Sequence, residues 1–359
     1  MPRHVWVRHQ SERDVTHDDA TICPAPWERG SLSLPSPDRL VVPPFAQAFQ
    51  QDYPRIRRLL NDHPRPGLGL FVSGADGLEA SAWVPCGESG IEPVVIGRHS
   101  HAELFLPADV RLSLRHLVVV VHPGPARARV RFRVLDLRTS TAFADEEGHR
   151  LEALESEGPL MLRCASFALL LLPTADTDVP WPESAAEAWE RIPGRVYLEG
   201  EPADPDRWLA PLNHSRPLVR PLARPIAGGS GPPTLASTFP GPVFPSRALE
   251  SSGPARGELV VRSESGRVSL KLGAEATRRG VLLGRYERCD TAGLPVLSAD
   301  GLSRVHLLVV EIGQVLYAVD TASTNGTWLD ARRVQFVRME PGISLSLAGK
   351  ALVEWRFYH

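Results

Sequence analysis

"LSRVHLLVV" (residues 302–310) has a twin far upstream, "LSLRHLVVVV" (112–121). In each, a polar S-x-x-H opens an unbroken apolar run. Short runs of Val and Leu bounded by turn residues read as buried strands. They fall far below the ~18 apolar residues a membrane helix needs. Working outward, the neighbours of one run have counterparts beside the other. "GLGLFVS" (67–73) answers "GELVVRS" (257–263), and "LEASAWVP" (78–85) answers "RVSLKL" (267–272). In the last of these Val268, Leu270 and Leu272 alternate with polar residues, the period of a half-buried strand. "PVVIGR" (93–98) pairs with "GVLLGR" (280–285), "RVLDLRTSTAF" (133–143) with "YAVDTASTNGT" (317–327), and "SFALLLLP" (166–173) with "ALVEWRF" (351–357). The shared order is G-R, then S-x-x-H, then D-x-x-S/T. It makes an internal repeat of ~100 residues, too long for a solenoid unit. Many short strands separated by turn residues predict an all-β fold, two copies of one sandwich domain, at 66–173 and 256–359.

Between the copies, residues 174–255 carry nearly half of the 34 prolines. Proline removes a backbone donor and breaks helices and central strands, so this stretch reads as a Pro-rich linker, partly polyproline II. Within it "PESAAEAWERI" (182–192) predicts a short helix, with Pro182 in the first turn and Pro193 as the stop. Trp181, Trp189 and Trp208 are positioned to dock the linker onto a neighbouring domain. Thr234 and Thr238 read as accessible to a kinase. Residues 1–65 read as an irregular N-terminal segment apart from a helix near 45–60. The acidic cluster "DEEGHR" (145–150) reads as a solvated turn.

A length of 359 residues implies two or three domains, and 43% apolar residues suffice for packed cores. The formal net charge of −2 gives no global basic field, so the composition excludes nucleic acid as an expected partner. Basic residues are arginine except Lys271 and Lys350, a bias that fits a GC-rich, bacterial genome and leaves many forks for oxyanions. Cys23, Cys86, Cys164 and Cys289 are scattered without metal-ligand spacing and read as free thiols of a reducing cytoplasm. The start of the chain lacks an apolar signal core. The expected location is therefore cytoplasmic, with no membrane insertion. His99, His101, His116 and His122 are spread by strand and turn spacing and group with no acidic or thiol partner, so no metal is expected.

"STNGTWLD" (323–330) admits three readings: an Asn-Gly hairpin turn, a glycosylation acceptor at Asn325, and a binding loop. A cytoplasmic address disfavours the second. Gly284-Arg285, Ser303-Arg304 and Ser323-Thr324-Asn325 each fall at a strand end, on one rim of a sandwich. Together they offer guanidinium forks, hydroxyls, a carboxamide and glycine-exposed N–H groups, a set suited to gripping an oxyanion such as phosphate. No paired carboxylate or nucleophile–base pair accompanies them. A P-loop, a G-x-S-x-G elbow, H-E-x-x-H and the kinase motifs are all missing, so no enzyme is expected.

"GR", "LSRVH" and "DTASTNGT" in this order resemble the signature of the forkhead-associated (FHA) family, β-sandwiches that bind phosphothreonine peptides. The resemblance covers about residues 256–359. It implies that Arg285 and Ser303 contact the phosphate with Arg304 beside them. Thr324 would hold phosphate or peptide backbone, and Asn325 would bond the peptide main chain. Gly284, His306 and Gly326 would shape the loops, and no cofactor is called for. Asn325-Gly326 is then both a turn and a binding loop. The 66–173 copy resembles the family in degenerate form. Gly97-Arg98, Ser113 and His116 remain, but Leu114 stands where the other copy has Arg304. Ser140, Thr141 and Ala142 replace Thr324, Asn325 and Gly326, so Arg98, Ser113, Ser140 and Thr141 offer at most a weak second site. The resemblance implies an adaptor or scaffold in Ser/Thr-kinase signalling, partnered by a phosphothreonine protein or a kinase within a larger assembly. The alternative is a structural subunit of a bacterial machine, such as a secretion complex, with phosphate-independent contacts.

Overall fold

The computed structural model describes residues 7–9, 43–87, 90–124, 129–174, 180–199, 229–242, 249 and 253–357. Cys23, Trp208, the proline-rich stretch 200–228 and most of the N-terminal segment lie outside them. The repeat read from sequence is a repeat of topology. In the first copy the hydrogen-bonded order is Gly77–Pro85, Gly67–Gly74, Phe167–Thr174, Leu160–Cys164, Phe143–Ala144, Arg150–Leu151. A second sheet runs Ala153–Ser156, Val130–Asp136, Leu117–Pro123, Glu92–Gly97, Leu104–Phe105. In the second copy the corresponding strands are Gly266–Gly273, Ala255–Ser263, Ala351–Phe357, Ser344–Leu347, Thr327–Leu329, Arg332–Arg338, Val315–Asp320, Leu307–Ile312 and Val281–Leu283. There Arg332–Arg338 is long enough to pair with both halves, through Thr327↔Val334 and Ala318↔Val337. In the first copy the equivalent strand is broken at Glu152. Val7–His9 adds one further short antiparallel pairing to Arg332–Arg338.

Successive strand residues point to opposite faces, and both faces of these strands are covered. Leu117, Val119 and Val121 fill the first sandwich with Leu68, Leu70 and Leu169. Leu307 and Val309 do the same in the second, with Leu259, Val353 and Trp355. The alternate residues form a separate cluster in which Val118, Val120 and Leu135 of the first copy meet Leu308, Val310 and Val319 of the second. The two sandwiches thus pack sheet to sheet through a continuous apolar face, which explains why both runs show no alternation of apolar and polar residues. Arg133 extends the contact at its edge, donating to the carbonyls of Arg278 (2.8 Å) and Glu311 (3.2 Å).

The helix expected near 45–60 is Phe45–Asp62. Its apolar face, including Phe49, Tyr53, Ile56 and Leu60, covers the other outer sheet of the first sandwich at Phe71, Leu170 and Leu172. Asp52 on the same face accepts from Ser73 Oγ (2.6 Å) and Leu78 N (3.0 Å), so this buried carboxylate is satisfied.

The 174–255 stretch departs from its reading as a linker. Pro193–Glu199 pairs in parallel with Gly229–Phe239, and the latter pairs antiparallel with Ala153–Ser156. The first sandwich therefore gains two strands from the expected linker. Prolines are tolerated because Pro232 and Pro233 fall in the register shift between Pro193↔Gly229 and Arg195↔Thr234, where no ladder bond is required of them. Thr234 and Thr238 are buried within this strand, with Thr238 Oγ1 bonded to the Leu198 carbonyl at 3.1 Å, and are not open to a kinase. The short helix spans Ala185–Arg191. Its cap is Ser184, whose side chain accepts from Glu187 N (3.4 Å), and Pro182 lies before the helix. Trp189 packs on Phe49 (5.4 Å between ring centroids), and the Trp181 carbonyl accepts from Arg57 Nε (3.3 Å), so these two tryptophans dock the segment as expected.

"DEEGHR" is also not solvated throughout. Asp145 and Glu146 are buried. Asp145 accepts from Glu147 N and His149 N, both at 2.9 Å. Glu146 takes both arms of Arg195 at 2.5 and 2.8 Å, pinning the added strand to the sandwich. Removing one partner of such a buried pair leaves an uncompensated charge, at a cost of about 3–5 kcal/mol. Arg195→Ala is expected to destabilise by that order in urea unfolding. The double variant Arg195→Met, Glu146→Gln should recover much of the loss; a small effect from the single change would show that the pair does not anchor the strand. Leu308→Asp places a carboxylate in the apolar face between the domains and is expected to cost several kcal/mol. An unchanged urea midpoint would show that the two faces do not pack in solution.

Candidate functional site

In the second copy three loops meet at one rim. Gly284 must be glycine: a Cβ there would lie 2.1 Å from the Arg304 carbonyl oxygen. This close approach lets Arg285 N and Tyr286 N donate to the carbonyls of Ser303 (3.4 Å) and Arg304 (3.0 Å). Arg285 is exposed, and its Nε donates to the Leu302 carbonyl at 2.8 Å, which directs the guanidinium along the rim. His306 is fully buried and joins two loops. Its Nδ1 accepts from Ser303 N (3.1 Å), and its Nε2 faces the Gly326 carbonyl at 3.3 Å. Burial holds its pKa below the usual histidine value, and the ring staples the second loop to the third.

Asp320 organises the third loop. It accepts from Ser323 N (2.7 Å), Ser323 Oγ (2.5 Å) and Thr327 Oγ1 (2.6 Å). Gly326 has φ +78°, and a Cβ on it would meet Arg333 Nε at 2.8 Å. The Asn-Gly turn is thus real and requires its glycine. Thr324 N donates to Ser303 Oγ at 3.1 Å, tying the second and third loops together. Asn325 Nδ2 donates to the Gly301 carbonyl at 2.8 Å. Ser303 lies buried at the base, while Arg285, Arg304, Thr324 and Asn325 are exposed around it. All five predicted binding residues therefore come together.

The first copy keeps the scaffold and loses the tips. A Cβ on Gly97 would lie 2.4 Å from the Leu114 carbonyl oxygen. Arg98 Nε donates to the Leu112 carbonyl (2.6 Å), Ser113 N to His116 Nδ1 (3.1 Å), and Thr139 N to Asp136 (2.7 Å). Each of these bonds has its counterpart in the second copy. Burial lowers the His116 pKa to about 4, and the Thr141 backbone beside the ring works against that shift. No bond matching that of Thr324 to Ser303 joins Ser140 to Ser113. The Thr141 carbonyl accepts from Thr139 Oγ1 at 3.0 Å. A cleft of about 370 Å³ opens beside this copy, lined by Arg138, Ser140, Arg150, Glu152 and Arg288, but it includes neither Arg98 nor Ser113. Among the described residues no group of three His, Cys, Asp or Glu is placed to hold a metal, and no helix is long and apolar enough to cross a membrane.

Three residues of the first copy reach the second copy's rim, and sequence reasoning missed them. Arg115 donates through Nε (3.0 Å) and Nη2 (2.8 Å) to the Ala322 carbonyl. The same Nη2 lies 3.1 Å from Ser303 Oγ and 3.4 Å from Thr324 Oγ1. His99 Nε2 is 3.4 Å from Thr324 Oγ1, and His101 Nδ1 is 3.3 Å from the Ser323 carbonyl. Burial, then Arg115 and His101, lower the His99 pKa to about 4. Alignment of the repeats sets Arg115 against Val305, and nothing within one copy signals that a side chain crosses to the other.

The FHA domain family model matches residues 281–348, which contain all of these loops. Among solved structures, the Rv1747 FHA-1 domain of Mycobacterium tuberculosis is 28% identical, covering 28% of this chain and 98% of that one, with a TM-score of 0.23. The FHA domain of the CT664 protein of Chlamydia trachomatis is 16% identical over 30% of this chain and 96% of that one, with a TM-score of 0.25. The Slr1951 protein of Synechocystis sp. is 19% identical over 29% and 98%, with a TM-score of 0.25. No curated protein matches the chain. The family match falls on the copy whose loops are complete, and the chain therefore carries an FHA domain, a non-catalytic interaction module, in its C-terminal sandwich.

Proposed function

We propose that this chain is a non-enzymatic reader of phosphothreonine peptides, a cytoplasmic adaptor or scaffold in Ser/Thr-kinase signalling or a kinase-regulated assembly. Its partner is a phosphothreonine-bearing protein or a kinase. The observation that carries this reading is the bond from Thr324 N to Ser303 Oγ at 3.1 Å, flanked by the exposed forks of Arg285 and Arg304. Because the Ser303 oxygen accepts that bond, its O–H is left to donate to a phosphate oxygen. Arg285 and Arg304 supply charge against a phosphate that carries close to two negative charges at pH 7. Thr324 adds a second hydroxyl, and the exposed Asn325 amide meets the peptide main chain beside the phosphothreonine.

Hydrogen bonds to a charged group contribute roughly 1.5–3 kcal/mol each. In the full chain, Arg285→Ala is expected to weaken a phosphothreonine peptide by at least about tenfold, with unchanged thermal unfolding. Arg285→Lys should lose affinity too, because the planar fork is lost. Undiminished binding by a folded Arg285→Ala protein refutes the site assignment.

The first copy supports a second reading, phosphate-independent contact within a bacterial complex. Leu114 is 41% exposed where the other copy has Arg304, and Phe105 and Val110 are exposed close by in the chain. Pull-downs with and without phosphatase separate the two. Loss of partners after phosphatase treatment is expected if the second copy governs capture; partners that all survive treatment favour the structural-subunit reading.

A further inference from the structure

We infer that the phosphate pocket is shared between the two domains, with Arg115 of the first copy as a phosphate ligand of the second copy's site. The inference rests on the phosphothreonine reading above and extends it to a residue outside the FHA domain. Arg115 Nη2 approaches Ser303 Oγ and Thr324 Oγ1, at 3.1 and 3.4 Å, the two hydroxyls that reading gives to the phosphate. An oxyanion accepting from both hydroxyls comes within reach of the same guanidinium.

The state of Arg115 without a ligand favours this role. The side chain is buried, and its partners among the described residues are one carbonyl and two hydroxyls. It forms no ion pair there. The charge of Asp320 acts on Arg115, but its carboxylate is committed to Ser323 and Thr327. A buried cation with neutral partners alone is costly, and an anion on the two hydroxyls supplies the missing charge. Nη1 takes no hydrogen bond among the described residues, so the fork keeps donors in reserve.

Arg115 is also not a lid. Arg285, Arg304, Thr324 and Asn325 remain exposed around it, so the first copy adds a cation at the base of an open pocket. The donation runs one way. The aligned residue in the second copy, Val305, is buried in the apolar cluster between the domains and offers no cation in return. Two bonds to the carbonyl of Ala322, a residue of that cluster, hold Arg115 in place before any ligand arrives, which limits the ordering cost of using it.

The test uses the full chain, a phosphothreonine peptide selected on it from a degenerate library, and the unphosphorylated twin of that peptide. Arg115→Gln keeps amide donors for the Ala322 carbonyl but removes the charge. It is expected to weaken the phosphopeptide at least about tenfold and to leave binding of the twin unchanged. Arg115→Lys keeps a charge and the stem but loses the fork, and a loss of several-fold is expected; this variant decides the matter should the first fail to fold. Wild-type affinity in either folded variant overturns the shared pocket, and so does tighter binding, which would make Arg115 a competitor of the ligand. If those variants bind as wild type while Arg285→Ala loses binding, the shared pocket fails and the phosphothreonine reading stands. If the wild-type chain does not distinguish phosphopeptide from twin, the phosphothreonine reading fails and the shared pocket falls with it.

Discussion

Two strands buried on both faces, Leu117–Pro123 and Leu307–Ile312, set the arrangement of this molecule. A sandwich needs only one apolar face per strand. The second face, Val118 and Val120 on one side and Leu308 and Val310 on the other, must find another surface, and the two copies supply it to each other. Burying apolar area yields roughly 25 cal/mol per Å², and the contact is non-directional. Its edges are fixed by directional bonds, including Arg133 to the carbonyls of Arg278 and Glu311. The binding loops lie just beyond these strands, so sheet packing also sets which side chains of one copy reach the rim of the other.

Within each copy the same three devices shape the rim. A glycine admits a carbonyl at close range, a buried histidine accepts from the serine N–H, and an aspartate closes the following turn. They recur as Gly97, His116 and Asp136, and as Gly284, His306 and Asp320. All six are buried, so each change there meets packing or an orphaned hydrogen bond. The copies differ at exposed or half-exposed tips, Leu114 against Arg304 and Thr141 against Asn325, where a change meets less packing and alters what the rim presents.

This division explains what was legible in the sequence. Apolar runs, turn residues and the order of three short motifs are local signals, and they located both sandwiches, the helix at Phe45–Asp62 and the five rim residues. The signals that failed depend on distant partners. Proline content argued for a linker, but the bulge beside Arg195 accommodates Pro232 and Pro233, and Glu146, far back in the chain, neutralises Arg195. "DEEGHR" looked solvated because its partner strand was read as linker. Arg115 stayed hidden because its importance arises only when two faces, each apolar for its own local reasons, are brought together.

The first copy then has a use that does not require it to bind phosphate. Its retained scaffold holds the loops that carry Arg115, His99 and His101 against Ser323 and Thr324. Where a ligand touches both partners of an interface, binding and docking share one free energy, and each must strengthen the other by the same factor. A rim without an asparagine and a second arginine of its own can thus serve as the wall of its neighbour's pocket. Two strands, 193–199 and 229–239, are added to this copy. They extend the sheet that carries the docking face, and Arg133, paired with Glu155 beneath them, also bonds to the second copy. The segment joining the domains is in this way part of the structure that keeps Arg115 at the rim.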